Sequence, residues 1–407
     1  MALEPLPQPM PPLEQRLIDV GRGLDEALAR VLAALPEAAQ GPQRLADALG
    51  LDKVLASRLL KASRSREPVA VAYHMPGPEP LRRFLRAARR RGVDAVAIAA
   101  AEGAVARFQA LVRSDVGDRS ALDAVVAAWL PEARAEFELR RKQSAYRALS
   151  QLKGVSAQTL LATSILHPAQ DGTRLDVVWI CGLLGLRRLR PGANAKLTTR
   201  RITGAGAPRQ PTTLDGRRVE GLAGLRLDAF CDAPPARLEV RVVGDTVHYL
   251  LGGEGFGTGT DADLVFAEAN FAEMPRYVPA GSGRKGYVFA EVSTPARTLL
   301  FDVLVHEQVY PGSIPSLLLY DTAFEGVVDV NDRARDADLL DLDESIQSLG
   351  RGTASLRARA APRYVELLRH VFERTGWDPT RFSAWRCQID YPLYGCQVVA
   401  AFDPPER

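Results

Sequence analysis

The chain of 407 residues predicts a multidomain α+β fold, with a helical front and a mixed C-terminal part. Three observations predict it. Up to residue 153 apolar residues recur at helical spacing, whereas from Gly154 onward β-type runs dominate. Those runs do not alternate regularly with helices, which argues against a doubly wound sheet. The length and the 46% hydrophobic content suit two or three domains, each with its own core. The expected division is a disordered proline-rich tail at 1–12, a helical domain at 13–114, a helical connector at 115–153 and an α+β domain at 154–407.

The first helix follows from Leu13, Leu17, Val20, Leu24, Ala27, Val31 and Leu35, which lie along one stripe. Gly23 interrupts it at a cost of roughly 1 kcal/mol relative to alanine, so the stripe needs packing to hold it. Two partners are open to it: the rest of its own domain, or the same helix of a second protomer in a short coiled coil and hence a homodimer.

Residues 41–62 read as two helices joined by a tight turn. Pro42 suits the first position of a helix, and Gly50 supplies the turn where positive φ costs little. Leu45, Ala46 and Leu49 face inward from the first helix, and Leu51, Ala56 and Leu59 continue that set. Lys53, Ser57, Arg58 and Lys61 fall on the outer side of the second helix, where they can reach base edges in a major groove. The segment PQRLADALGLDKVLASRLLKA at 42–62 resembles the winged helix-turn-helix regulators of bacteria. The resemblance implies double-stranded DNA as a partner and a β-wing after the second helix, for which 68–73 (PVAVAY) is the expected strand.

Charge supports the same reading. The net charge of +3 conceals twelve Arg or Lys against four acids within 41–92, whereas 321–344 carries nine acids against two arginines. A helix at about 79–91 sets Leu81, Phe84, Leu85 and Ala88 on one face and Arg82, Arg83, Arg86, Arg89 and Arg90 on the other. Arg44, Arg64, Arg66, Arg82, Arg83 and Arg86 are expected to hold phosphates, which fixes register without reading sequence. Further helices are expected at 119–129 and 132–152, the latter carrying Glu136/Arg140 and Glu138/Lys142 at i,i+4 spacing.

Beyond Gly154, strands are expected at 159–166, 175–180, 196–202, 238–243, 246–251, 286–292, 298–305 and 316–320, with Gly244-Asp245 as a hairpin turn. A helix at 362–376 and strands at 387–390 and 397–402 close the chain. The stretches YPGSIPSLLLYDT at 310–322 and YPLYGCQVVAAFD at 391–403 resemble part of a bacterial family without an assigned activity, so they imply none here.

Catalytic and metal patterns are absent from the sequence. The glycine-rich 252–259 lacks the order of a phosphate-binding loop, and 281–286 lacks the frame of a nucleophile elbow. His74, His167, His248, His306 and His370 show no metal-ligand spacing, and Asp302 and His306 on one strand face lie about 13 Å apart. His306 is expected to be structural. Asp329, Asn331 and Asp332 lack the rest of a calcium loop and read as a solvated acidic turn. Cys181, Cys231, Cys387 and Cys396 are expected to be reduced, although Cys387 and Cys396 could meet across neighbouring strands. With a proline-rich start and no apolar run of membrane-spanning length, a cytoplasmic location is expected.

The expectation is therefore a DNA-binding transcriptional regulator with no cofactor, whose C-terminal domain senses an unidentified small-molecule effector or mediates assembly. An enzyme of unassigned reaction docked through its helical front is the alternative, and an interaction scaffold a third.

Overall fold

The computed structural model describes residues 11–127, 129–201, 211–232, 237–243, 246–252, 256–257 and 261–407. Most of the expected glycine-rich 252–259 loop, the Gly244-Asp245 turn and most of the 1–12 tail lie outside the described residues. The chain divides into two compact units, Met1–Glu138 and Leu139–Arg407.

The described part of the first unit is entirely helical. Its helices are α1 (Leu13–Ala33), α2 (Pro36–Ala39), α3 (Pro42–Leu49), α4 (Lys53–Ser63), α5 (Pro68–His74), α6 (Pro78–Arg90), α7 (Ala95–Ala110), α8 (Arg119–Ala127) and the first part of α9 (Pro131–Lys153). Leu17, Leu24, Leu28 and Val31 of α1 are buried in one core with Leu45, Leu59, Phe84 and Phe108. The α1 stripe is therefore covered by its own unit and offers no seam for a second protomer. Gly21 sits where α1 meets the backbone of Pro68 at the start of α5.

The strand expected at 68–73 is helix α5, so this segment forms no wing. Pro68 stands within the first turn of the helix, where its missing N–H costs nothing. The apolar alternation at 68–73 is diluted by alanines, and Val71, Ala72 and Tyr73 are all buried on consecutive positions, as a short core helix requires. Helix α7 had no counterpart in the sequence reading, because its alanines blur any polar face. It caps on Asp94, whose carboxylate accepts from Ala97 N at 3.0 Å. Ala95–Val116 is long and apolar enough to cross a bilayer by composition, yet Ile98, Ala101, Ala104, Val105 and Phe108 are buried in the helical core.

The second unit is built on a six-stranded sheet in the order β10-β11-β8-β1-β2-β6. Its strands are β1 (Val155–Pro168), β2 (Arg174–Arg188), β6 (Ala262–Pro275), β8 (Ala296–His306), β10 (Gln347–Arg351) and β11 (Phe382–Asp390). All neighbours run antiparallel except β1 and β8, which are parallel. One face carries α10 (Tyr364–Thr375), whose Leu367, Leu368 and Val371 pack on Leu161, Ile165, Leu300 and Leu304. The other face is covered by a three-stranded sheet of β7 (Gly286–Glu291), β12 (Cys396–Phe402) and β9 (Ser316–Asp321), through Val288, Val398 and Leu319. A separate sheet joins β3 (Ala195–Arg201), β5 (Thr246–Gly252) and β4 (Arg237–Val243). The stretches 310–322 and 391–403, noted together in the sequence, contribute the paired strands β9 and β12.

Cys387 and Cys396 are buried free thiols, raised to about 12 chiefly by burial, and their strands belong to different sheets rather than pairing. The acidic turn satisfies itself: the Asp329 carboxylate accepts from Asn331 N at 2.9 Å, and Arg335 pairs with Asp338 at 2.5 Å. On α9, the members of the expected Glu138/Lys142 pair each meet another residue: Lys142 pairs with Glu344 of its own unit, and Glu138 with Arg134 at 2.8 Å.

Asp302 is fully buried and takes a bidentate pair from Arg386, both bonds at 2.8 Å. Arg386 also donates to the carbonyls of Leu356 at 2.9 Å and Arg357 at 3.0 Å, and Tyr364 shares a 2.8 Å hydrogen bond with Thr163. This network ties β8, β11, β1 and α10 together. Asp302 is thereby spent on structure.

His306 is buried as expected. Its ring lies 4.9 Å from that of His167, and its Nδ1 accepts from Gln308 N at 3.2 Å. Burial, followed by His167 and Arg381, pulls its pKa down to about 4, with Glu307 opposing and Arg276 assisting. The unfolded chain therefore takes up a proton near the usual imidazole value of about 6.5 while the folded chain does not. Stability that is complete above that value is expected to fall as pH drops toward about 4. Melting temperature measured from about pH 7.5 to 5, before most carboxylates titrate, should decline in wild type and decline less in His306→Asn. Equal slopes in the two proteins would contradict a buried neutral His306. His74, His167 and His248, also lowered by burial, supply the residual slope.

Candidate nucleic-acid interface

Helices α3 and α4 are joined by Gly50, which adopts the left-handed conformation at φ 62° and ψ 42°. Only glycine takes this geometry without the Cβ penalty, so the chain reverses within Gly50, Leu51 and Asp52. Asp52 then caps α4 by accepting from Val54 N at 2.6 Å. Leu45, Ala46 and Leu49 of α3 are buried with Leu55, Ala56, Leu59 and Leu60 of α4. Ala46 and Ala56 are small enough for the two helices to cross closely.

The inward set leaves Lys53, Val54, Ser57, Arg58 and Lys61 exposed along α4. Their spacing places them on one side of the helix. Arg58 donates from its guanidinium Nη2 to the Met75 carbonyl at 3.4 Å, while the residue as a whole stays exposed. Lys61 lies 3.9 Å from Glu136, a pair too long and too exposed to hold it firmly. Field effects from this face reach His74, whose pKa is lowered by burial first and then by Lys61, with Arg58 and Arg119 adding to it.

Arg44 on α3, and Arg64 and Arg66 after α4, are exposed and meet no acid among the described residues. The α6 ridge differs from its expected form. Arg82 and Arg86 both reach Glu79, at 3.4 and 3.3 Å, and hold its carboxyl below the usual range. Arg82 also binds Gln109, Arg89 pairs with Glu102 at 2.9 Å and Arg91 with Glu37 at 2.7 Å. Arg83 is exposed and free of acid partners among the described residues. Much of the ridge is thus neutralised within the unit, by exposed pairs that are weak enough to exchange for another anion.

Val54 was missed by the sequence reading. It is 65% exposed at the start of α4, beside Lys53. The signal was available: residue 54 falls outside the buried periodicity of 55, 56 and 59, so an apolar residue there had no core to enter. Because the Asp52 carboxylate occupies the N-terminus of α4, the face offers side chains rather than backbone amides to an anion. No family model matches the chain, and no curated protein is similar to it.

Proposed function

We propose that α3 and α4 act as a helix-turn-helix that docks α4 in the major groove of double-stranded DNA, within a cytoplasmic transcriptional regulator. The observation that carries this reading is the outer face of α4: Lys53, Ser57, Arg58 and Lys61 exposed together, beyond the capping Asp52, on a helix whose opposite side is fully buried. Lys53 and Arg58 read base edges or phosphates, Val54 and Ser57 contact bases less selectively, and Arg44, Arg64, Arg66 and Arg83 position the duplex through its backbone. Arg82 and Arg86 join them after exchanging Glu79 for phosphate. Any homodimer has to use a surface other than the apolar stripe of α1, which the helical core covers.

Fluorescence anisotropy of the full chain with random and promoter-derived duplexes at two salt concentrations tests the reading. Wild type is expected to bind with a steep salt dependence, and Lys53→Ala/Arg58→Ala to bind about 10- to 100-fold more weakly with a slope reduced by about 1 to 2. Absence of salt-sensitive binding by wild type at low salt would overturn it.

A further inference from the structure

Two adjoining clefts lie in the second unit between α10, the edge strand β6 and the segment 211–230, with volumes of about 340 and 310 Å³. Arg374 and Leu214 line both, so they form one elongated groove. A small hairpin, bridged at Thr212 and Arg218, bounds the groove and is tied to β6 by Ala269 N donating to Thr212 O at 3.0 Å. The groove has two chemically distinct ends.

One end is cationic. Arg217, Arg226 and Arg374 line it beside His370, against a single carboxylate in its lining, Asp228, which pairs with Arg226 at 3.2 Å. Asp215, at the hairpin tip, bonds Arg217 and Arg374, each at 3.2 Å, but does so in the open: its side chain and that of Arg374 are 35% and 48% exposed. An exposed pair of this kind is weak enough to exchange for an incoming carboxylate. Arg374 already holds one carboxylate oxygen, that of Asp215, through its Nη2 at 3.2 Å.

The other end is aromatic. Phe271 and Trp377 line it, and Trp377 is fixed by stacking on His167 at 4.5 Å between ring centroids. Phe271 is aimed there by a bulge in β6. Leu175 pairs with Met274 and Val177 with Asn270, so three residues of β6 oppose Asp176 alone. Ala272 is held at φ 48°, a strained value for a residue with a Cβ, by its N–H donating to Asp176 at 2.8 Å and its carbonyl accepting from Arg174 at 2.7 Å. The chain maintains this strain while leaving Phe271 43% exposed. Strain of this sort gathers at ligand sites.

We propose that the groove binds a small aromatic carboxylate, its ring against Phe271 and Trp377 and its carboxylate on Arg374 in place of Asp215. The site stands on the second unit alone and does not depend on DNA binding by the first. Calorimetric titration of the full-length protein with benzoate, naphthoate and indole carboxylate, each beside its carboxamide, tests it. Saturable binding of at least one carboxylate is expected, with its amide weaker by about tenfold or more. Arg374→Gln and Phe271→Ser should each weaken binding by about tenfold while circular dichroism and melting temperature stay at wild-type values. Asp215→Asn should tighten binding several-fold, the opposite of what loss of a merely structural contact would do. The proposal is overturned if none of the three carboxylates saturates, if carboxylate and amide bind equally, or if Arg374→Gln binds as wild type.

Discussion

Gly21→Ala is expected to destabilise the helical unit by about 3 kcal/mol, lowering its melting temperature by about 10 °C. A β-carbon at position 21 would overlap the carbonyl oxygen of Pro68 and lie 3.2 Å from its Cα. Those are backbone atoms at the start of α5, and they cannot swing aside as a side-chain tip would. Gly23, two residues along the same helix, should respond in the opposite sense. An added β-carbon there meets only the tip of Arg107 at 3.5 Å, so Gly23→Ala keeps the helix-propensity gain of up to about 1 kcal/mol. Thermal unfolding of the two variants beside wild type gives the comparison. If both shift stability the same way, α1 and α5 do not pack as described.

Breaking the Asp302–Arg386 pair is expected to cost about 3–5 kcal/mol in the second unit. Arg386→Ala leaves the fully buried Asp302 without its guanidinium and strips the Leu356 and Arg357 carbonyls of a donor. Burial already raises the Asp302 carboxyl against the pull of Arg386, so with the guanidinium gone the group enters the fold protonated or not at all. Asp302→Leu/Arg386→Met removes both charges together and should recover most of the loss, because no uncompensated ion remains. Urea denaturation of Asp302→Leu, Arg386→Met and the double variant beside wild type supplies the coupling energy. A cost below about 1 kcal/mol for Arg386→Ala would contradict a dry, tightly bonded pair.

The parts of the fold legible in the sequence were those with a local signature. Gly50 and the inward leucines of 42–62 announce two helices and a turn, and the apolar runs from 155 onward announce most of the strands. Helix α7 escaped because alanine carries little amphipathic contrast. Strand β6 escaped because Leu264, Val265, Phe266 and Ala267 are all buried, so both its faces are covered and no alternation survives. The wing was inferred from what commonly follows such helices rather than from 68–73 itself, where proline and alanine favour a helix.

Of the candidate interface, position along α4 was readable but pairing was not. Periodicity shows that Arg82 and Arg86 face outward; it does not show that Glu79 turns back to meet both. The aromatic and cationic groove left no trace in the sequence, since it draws on β6, a hairpin near 215 and α10 near 374. Residues so far apart in the chain carry no shared spacing.

The parallel pairing of β1 with β8 sets an order on synthesis. Ala157 must wait for Ala296 before the centre of the large sheet can close, and β11 and β12 are added only after that. In the helical unit, by contrast, α3 meets α4 and α6 meets α7 as immediate neighbours. At ordinary elongation rates the helical unit emerges from the ribosome on the order of tens of seconds before the sheet can be completed. During that interval the edges of β1 and β2 are open to other chains, so a chaperone that shields nascent strands should matter for residues beyond 154 and be dispensable for those before.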